Sequence, residues 1–169
     1  MRGFHIGEQL LAETWELKVK VLLDSPFYAL FPDKTVGYIH DGKEVCLKAE
    51  KIVIAAGAAE NALAFPGSTL PGVMGAGAAQ TMINVHRVLP GKKILMIGSG
   101  NVGLIVSYQL MQAGADVVAL IEAAPQIGGY GVHAAKIKRA GVPIYLSHTV
   151  KRAMGEDEVE SVEIVELDS

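Results

Sequence analysis

Residues 93–122 constrain this chain more than any other stretch. Lys93-Ile94-Leu95-Met96-Ile97 is a short apolar run, and Gly98-Ser99-Gly100-Asn101-Val102-Gly103 follows it with the spacing G-x-G-x-x-G. A helically patterned segment comes next, then a second apolar run, Val117 to Ile121, which ends in Glu122. A strand that turns sharply into a helix and returns as a parallel neighbour accommodates all of these features, so the segment predicts a βαβ unit. Because Lys93 to Ile97 is apolar nearly throughout, it predicts a central parallel strand covered on both faces.

Each part of that unit has its own physical task. Gly98 permits the tight turn out of the strand, Gly100 lets a pyrophosphate approach the backbone, and Gly103 lets the helix pack closely on the strands. The helix is predicted over about Asn101 to Ala113, with Val102, Ile105, Val106, Leu110 and Met111 as its apolar stripe and Gly114 as its C-terminal cap. Its first N–H groups and its dipole favour an anion by roughly 0.3–1 kcal/mol, rising to ~2 in a partly buried setting. Glu122, 24 residues after Gly98, is placed to accept hydrogen bonds from adenosine ribose hydroxyls. The pattern identifies a dinucleotide site with Gly98, Ser99, Gly100, Asn101, Val102, Gly103 and Glu122 as its cofactor-binding residues. A 2′-phosphate beside Glu122 meets like charge, and Ala123-Ala124-Pro125-Gln126 brings no cation, so NAD(H) is favoured over NADP. Two other readings fit the same pattern: a glycine-rich turn with no ligand, and a methyltransferase-type cofactor site.

The remaining composition narrows the classes. With 169 residues, 50% of them hydrophobic, a net charge of −3 and no Lys/Arg-rich run, the chain fits a globular protein of one or two small domains, with no nucleic-acid partner. No apolar stretch approaches the ~18 residues of a membrane span, and Met1-Arg2-Gly3-Phe4-His5 lacks a signal-peptide core, so a cytoplasmic location and no membrane partner are expected. Cys46 is the sole cysteine, which rules out an intrachain disulfide or a C-x-x-C redox pair. The five histidines, His5, His40, His86, His133 and His148, are scattered, and no metal site is expected. No residue presents itself as a catalytic acid, base or nucleophile.

Upstream, residues 3–14 predict a short helix. Trp15 to Leu22 alternates apolar and polar and predicts a half-buried strand. Phe27 to Phe31, Thr35 to His40 and Glu44 to Lys48, with Asp41-Gly42 as a hairpin turn, predict an antiparallel meander. Ile52-Val53-Ile54 predicts a buried strand ending at Gly57. Residues 58–91 are expected to be mostly irregular, with turns at Pro66-Gly67 and Pro71-Gly72 and a short helix from Ala78 to Arg87. Gly75-Ala76-Gly77-Ala78-Ala79-Gln80 imitates a second dinucleotide turn, but no apolar strand precedes it. After Glu122, Gly128-Gly129 leads to a helix over about Tyr130 to Ala140, and Val142 to His148 predicts a third strand. Lys151 to Ser169 reads as a hairpin with a solvated acidic face.

The order of these pieces resembles the middle of a two-dinucleotide flavoprotein of the FAD/NAD-linked pyridine nucleotide-disulfide oxidoreductase family. Lys51-Ile-Val-Ile-Ala-Ala-Gly57 resembles the family's A-T-G strand end, with Ala56 in place of Thr, and marks Gly57 as a further cofactor-binding residue. Phe65-Pro-Gly-Ser-Thr-Leu-Pro-Gly72-Val, followed by Gly77-Ala-Ala-Gln80, is similar to the subgroup containing sarcosine oxidase α, opine oxidase, hydrogen cyanide synthase and dye-linked proline dehydrogenase subunits.

The resemblance implies an α/β architecture. An incomplete Rossmann-like NAD-binding domain, residues 89–169, follows an antiparallel β-meander from a split FAD domain, residues 1–88. It departs from the family in three ways: no first G-x-G-x-x-G unit, an end within the NAD-domain hairpin, and no redox cysteine pair. The expectation is an NAD(H)-binding internal piece of a flavin-dependent oxidoreductase, inactive alone, passing electrons between FAD and NAD or an amine-type substrate in the intact parent. FAD belongs to that parent and is not expected to be held tightly by this chain. The expected partners are a dinucleotide, the remaining FAD-domain segments of the parent, and a second copy of the chain through self-association. The alternatives are a non-catalytic module for nucleotide binding or for assembly of subunits, and a self-sufficient small oxidoreductase.

Overall fold

The computed structural model describes residues 3–168 and divides into two compact units, one up to Gly57 and one from Ala58 onward. In the first unit, helix α1 spans Gly3–Glu16 and buries none of its residues. It runs further than expected. Lys18 takes a left-handed φ of 55°, Lys18 N–H donates to the Trp15 carbonyl (3.0 Å) and Val19 N–H to the Thr14 carbonyl (3.2 Å), the bonding pattern of a Schellman close. Trp15 and Glu16 are thereby drawn into the helix. Residues 17–26 have no strand, which corrects the expected strand from Trp15 to Leu22: alternation needs a partner to pair with, and none of the described strands pairs with it.

The meander forms as expected. Strands β1 (Phe27–Leu30), β2 (Thr35–His40) and β3 (Lys43–Lys48) pair antiparallel in that order. Asp41 (φ 49°) and Gly42 (φ 71°) are both left-handed, as a two-residue hairpin turn that follows strand twist requires. Ile52 to Ile54 is a second correction. It forms no strand, and Val53 and Ile54 are 88% and 74% exposed, because the sheet ends at β3 and offers them no ladder.

The second unit begins with the connector. Phe65 to Val73 makes consecutive turns, and its carbonyls at Pro66 and Pro71 accept from Ala153 N–H and Val159 N–H (both 2.9 Å). Helix α2 (Ala76–Thr81) continues into a π-turn, Met82–His86, closed by left-handed Arg87. The glycine-rich start of α2 is capped from within the unit, since the Glu60 carboxylate accepts from Ala76 N–H (2.8 Å) and Gly77 N–H (3.1 Å).

Strand β4 (Lys93–Ile97), helix α3 (Asn101–Gln112), strand β5 (Asp116–Glu122), helix α4 (Gly131–Arg139) and strand β6 (Ile144–Leu146) then build a parallel sheet ordered β4-β5-β6. The β4–β5 register runs from Lys93 opposite Asp116 to Ile97 opposite Ile121. The central strand is therefore β5, not β4 as the apolar run suggests. Val117, Leu120 and Ile121 are buried, whereas Ile97 on β4 is 40% exposed. Leu104, Val106 and Leu110 of α3 pack with Leu120 of β5 and Ile137 of α4 in one core, and each such side chain contributes roughly 1.5–3 kcal/mol.

The buried stripe of α3 also differs from the expected one. It consists of Gly103, Leu104, Val106, Ser107 and Leu110, while Val102 faces outward. The close approach of Gly103 to the strand end rotates the helix so that its smallest residues face the sheet. Gly114 (φ 100°) and Gly141 (φ 78°) close α3 and α4.

The expected strand from Val142 to His148 is divided. Ser147 adopts φ 53° and turns the chain out of β6 into β7 (His148–Met154). β7 pairs antiparallel with β8 (Ser161–Glu166), so the acidic tail forms a hairpin as expected. On it Glu163 accepts from Lys151 (2.7 Å) and Arg152 (2.6 Å), donors that hold its carboxyl below the ordinary value. Among the described residues no helix is long and apolar enough to cross a membrane.

One buried side-chain atom among the described residues is orphaned: the Ser107 hydroxyl, on the face of α3 turned to the sheet, has no hydrogen-bond partner. Ser107→Ala removes a desolvated hydroxyl and leaves a better helix former. The expected result in urea melts is stability unchanged or raised by up to about 1 kcal/mol; a loss of that size would place a hidden partner on the hydroxyl.

Candidate functional site

The site grows from the end of β4. Gly98 takes φ 97°, and its N–H still donates to the Ile121 carbonyl (2.7 Å), so the turn begins while the ladder to β5 is intact. Gly100 is the N-cap of α3, in extended conformation and with no side-chain cap, and the first helical bond runs from Leu104 N–H to its carbonyl (3.0 Å). The N–H groups of Asn101, Val102 and Gly103 precede that bond and lack intrahelical acceptors. A Cβ on Gly100 would meet no atom within 4 Å beyond its chain neighbours, so the space on that side of the backbone is open. A Cβ on Gly103, by contrast, would run into the Gly98 carbonyl oxygen. The third glycine is therefore required by the packing of helix on strand and the second leaves room.

Glu122, at the end of β5, faces this turn. Its Oε2 accepts from both the Ser99 N–H and the Ser99 hydroxyl (each 2.8 Å), and its Oε1 accepts from Ala124 N–H (3.0 Å). Partial burial pushes its carboxyl upward. The N–H donors of Ala124 and Ser99, the Ser99 hydroxyl and, least, the Ala123 N–H outweigh that push and hold it below the ordinary carboxylate value, so the group is ionised at neutral pH. The expected ribose-reading carboxylate is thus brought to the glycine turn and fixed there.

Sequence reasoning missed the third wall of the site. The segment after β5 folds back over the turn: Gly128 N–H donates to the Ser99 hydroxyl (3.2 Å), Gly129 N–H to the Ser99 carbonyl (2.9 Å), and Tyr130 N–H to Asn101 Oδ1 (2.8 Å). A Cβ on Gly129 would come within 2.6 Å of Leu104 Cδ1 and 3.0 Å of Asn101 N. The signal is the glycine pair itself, which sits where the chain must cross close to another backbone rather than merely enter a helix. Of the remaining expected residues, Val102 is exposed on the first turn of α3, and Gly57 ends the other unit with φ 77°.

Gly103→Ala forces α3 off the strand end. It is expected to cost about 1–3 kcal/mol in denaturant unfolding, as an overpacked site does. Gly100→Ala, with open space around it, is expected to leave stability within about 1 kcal/mol of the parent, the ordinary range for a change with no clash. Equal losses in the two variants would contradict the assignment of different roles to the two glycines.

The chain's sequence and fold both match known proteins. A model of the family described as "Pyridine nucleotide-disulphide oxidoreductase" matches residues 5–169. Among curated relatives, the α subunit of sarcosine oxidase from Rhizobium meliloti is 38% identical over 80 residues, 47% of this chain and 8% of that protein. An opine oxidase subunit from Agrobacterium tumefaciens is 32% identical over 99 residues, 54% of this chain and 20% of that protein. Hydrogen cyanide synthase subunit HcnB from Pseudomonas aeruginosa is 31% identical over 133 residues, 69% of this chain and 29% of that protein. The chain therefore spans less than a third of the length of these relatives. Among solved structures, thioredoxin reductase from T. acidophilum superposes with a TM-score of 0.69 at 18% identity, over 97% of this chain and 53% of that one. An NAD-dependent persulfide reductase from A. fulgidus gives 0.63 at 22% identity, over 90% and 30%. The chain belongs to the pyridine nucleotide-disulphide oxidoreductase family.

Proposed function

We propose that this chain is an NAD(H)-binding segment of a flavin-dependent oxidoreductase that passes electrons between FAD and NAD or an amine-type substrate, and that it is inactive by itself. The observation that carries the reading is Gly100: open space over an uncapped helix start, with an ionised carboxylate at the end of the next strand. The donor set suits a dinucleotide. Backbone N–H groups of Asn101, Val102 and Gly103 would receive the pyrophosphate, and Glu122 would receive a ribose hydroxyl. When bound, nicotinamide and flavin rings supply the electron chemistry, and the chain's part is to hold and orient them. Preference for NAD over NADP rests on the charge of Glu122 and the absence of a cation in Ala123 to Gln126. The amine-type substrate rests on the names of two relatives, a sarcosine oxidase and an opine oxidase.

In this reading residues 1–88 derive from the parent's FAD domain and 89–169 from its NAD domain, with Gly57 approaching flavin nucleotide only in the complete protein. A cytoplasmic setting belongs to the same proposal, supported by the free, exposed thiol of Cys46. The relatives carry the word subunit in their names, which favours, as a second reading, a non-catalytic nucleotide-binding or assembly module.

Calorimetric titration with NADH, NADPH and FAD separates the readings. Saturable NADH binding, weaker NADPH binding and no tight FAD binding are expected; silence with all three would favour the assembly module. The first unit also exposes Trp15, Leu17, Leu23 and Val53, apolar side chains that a chain in water covers by association. Sedimentation across a concentration series is expected to show self-association, and a monomer at every concentration would count against it.

A further inference from the structure

We propose that Ser99 is a positioning residue for nucleotide discrimination: its buried hydroxyl fixes the Glu122 carboxylate and the Gly128–Gly129 loop as one unit, so the choice between NAD and NADP depends on a side chain turned away from the open side of the site. The inference rests on the nucleotide reading above and deepens it. Within G-x-G-x-x-G the second position is free to be any residue whose backbone can turn, so the motif by itself gives Ser99 no task. The geometry gives it one. Ser99 is completely buried, so its hydroxyl points into the protein rather than toward the open side at Gly100. Every hydrogen-bonding group of the residue is engaged inside the site. The hydroxyl donates to Glu122 Oε2 and accepts from Gly128 N–H, the N–H donates to the same Oε2, and the carbonyl accepts from Gly129 N–H.

The consequence concerns where the charge stands. Two donors from one residue hold Oε2 inward, which leaves Oε1, bonded to Ala124 N–H, as the oxygen with a lone pair to spare. A carboxylate held in this way meets a ribose hydroxyl in a fixed position and meets a 2′-phosphate there with the same fixed charge. If the carboxylate can swing, both the attraction and the repulsion weaken, and discrimination falls even though Glu122 remains charged. No charged side chain sets its state. The titratable groups on the elements beside it are Lys93 at the start of β4, Tyr108 on α3, Tyr130 at the end of the loop, Tyr145 next to Leu146 (the register partner of Glu122 on β6), and His148, Lys151 and Arg152 on β7, and none hydrogen-bonds to it. The sign of the effect follows. The folded carboxyl lies below its ordinary value because it gains donors, so removal of the hydroxyl moves it upward.

The test uses the full chain and its Ser99→Ala variant, with two readouts. The first needs no nucleotide: the midpoint of the Glu122 carboxyl, followed by carbon NMR through an acid titration, is expected to rise in the variant. The second is the ratio of NADPH to NADH dissociation constants at neutral pH by calorimetry, expected to fall about tenfold, the effect of losing one hydrogen bond to a charged group. Ser99→Cys, close in size and a weaker donor, is expected to fall between and serves if the alanine variant does not fold. An unmoved carboxyl midpoint overturns the proposal whatever the binding result. Equal weakening of both nucleotides with an unchanged ratio overturns it too, since a merely structural serine would act in that way. If the parent chain binds neither nucleotide while the midpoint still moves, the nucleotide reading fails and takes the discrimination role with it, and Ser99 is left as an anchor of the turn alone.

Discussion

The carboxylate of Glu122 supports more of the second unit than its single charge suggests. A turn of the form Gly98-Ser99-Gly100 carries few side chains with which to hold itself, and glycine loses more conformational freedom on ordering than any other residue. Something outside the turn has to fix it. Glu122 does so from the end of β5, the strand paired on both sides, by accepting from Ser99 twice and from Ala124 once. Hydrogen bonds to a charged group contribute roughly 1.5–3 kcal/mol where they are shielded from water, and less here, where the group is only partly covered. An ionised carboxylate has about four acceptor positions; three are filled by well-formed hydrogen bonds from the chain, with the Ala123 N–H adding a weaker pull. The group that holds the turn in shape thus retains capacity on the oxygen that does not face Ser99.

The two units differ in what sustains them. In the second, Leu104, Leu110, Leu120 and Ile137 are completely buried and bring α3, β5 and α4 into one core. In the first, α1 buries nothing and the meander buries little beyond Gly37, whose flat surface is covered by the ring of Tyr28. Three short strands with so thin a core sit near the lower limit of independent stability. Local geometry carries the meander: the left-handed Asp41-Gly42 turn fixes its register, and every residue of β2 from Thr35 to His40 has a partner on β3. That is enough to define a shape but not to bury Trp15 or Leu23, which explains why the apolar surface is concentrated in this part of the chain.

Features encoded by near neighbours are legible in the sequence. The Asp41-Gly42 hairpin and the closure at Gly114 follow from residues whose conformational demands are local, and the βαβ order brings Glu122 to the glycine turn because β4 and β5 pair side by side. Features that depend on a distant partner are not. Trp15 to Leu22 and Ile52 to Ile54 have strand-like patterns, but a strand exists only beside another, and the pattern does not say whether one is there. The apolar run of β4 reads as a sheet centre although the neighbour on its second side is not among the described strands. The stripe of α3 reads one step off its true position because Val102 is more hydrophobic than Gly103, while the packing is decided by size. In the site, Gly128 and Gly129 read as an entry to a helix because their demand comes from Gly100, Asn101 and Leu104, far away in sequence.

The glycines also separate by the reason each is needed, which bears on what the turn is for. Gly98 is explained by its own backbone, since φ 97° is costly for any residue with a Cβ. Gly103 and Gly129 are explained by the chain's other atoms, which occupy the space a Cβ would take. Gly100 is explained by neither. Its φ of −65° is open to any residue, and beyond its chain neighbours no atom of the protein lies within 4 Å of where its Cβ would stand. Within the turn, then, one glycine remains whose missing side chain serves nothing internal. A residue of that kind loses helix-start stability that Ser or Asp would supply at the same N-cap position, by roughly a few tenths of a kcal/mol. The loss is small beside the N–H groups at the head of α3 that have no intrahelical acceptor. A side chain there would cap the helix and, by the same act, close it to an anion; glycine leaves both the space and the donors to whatever approaches from outside.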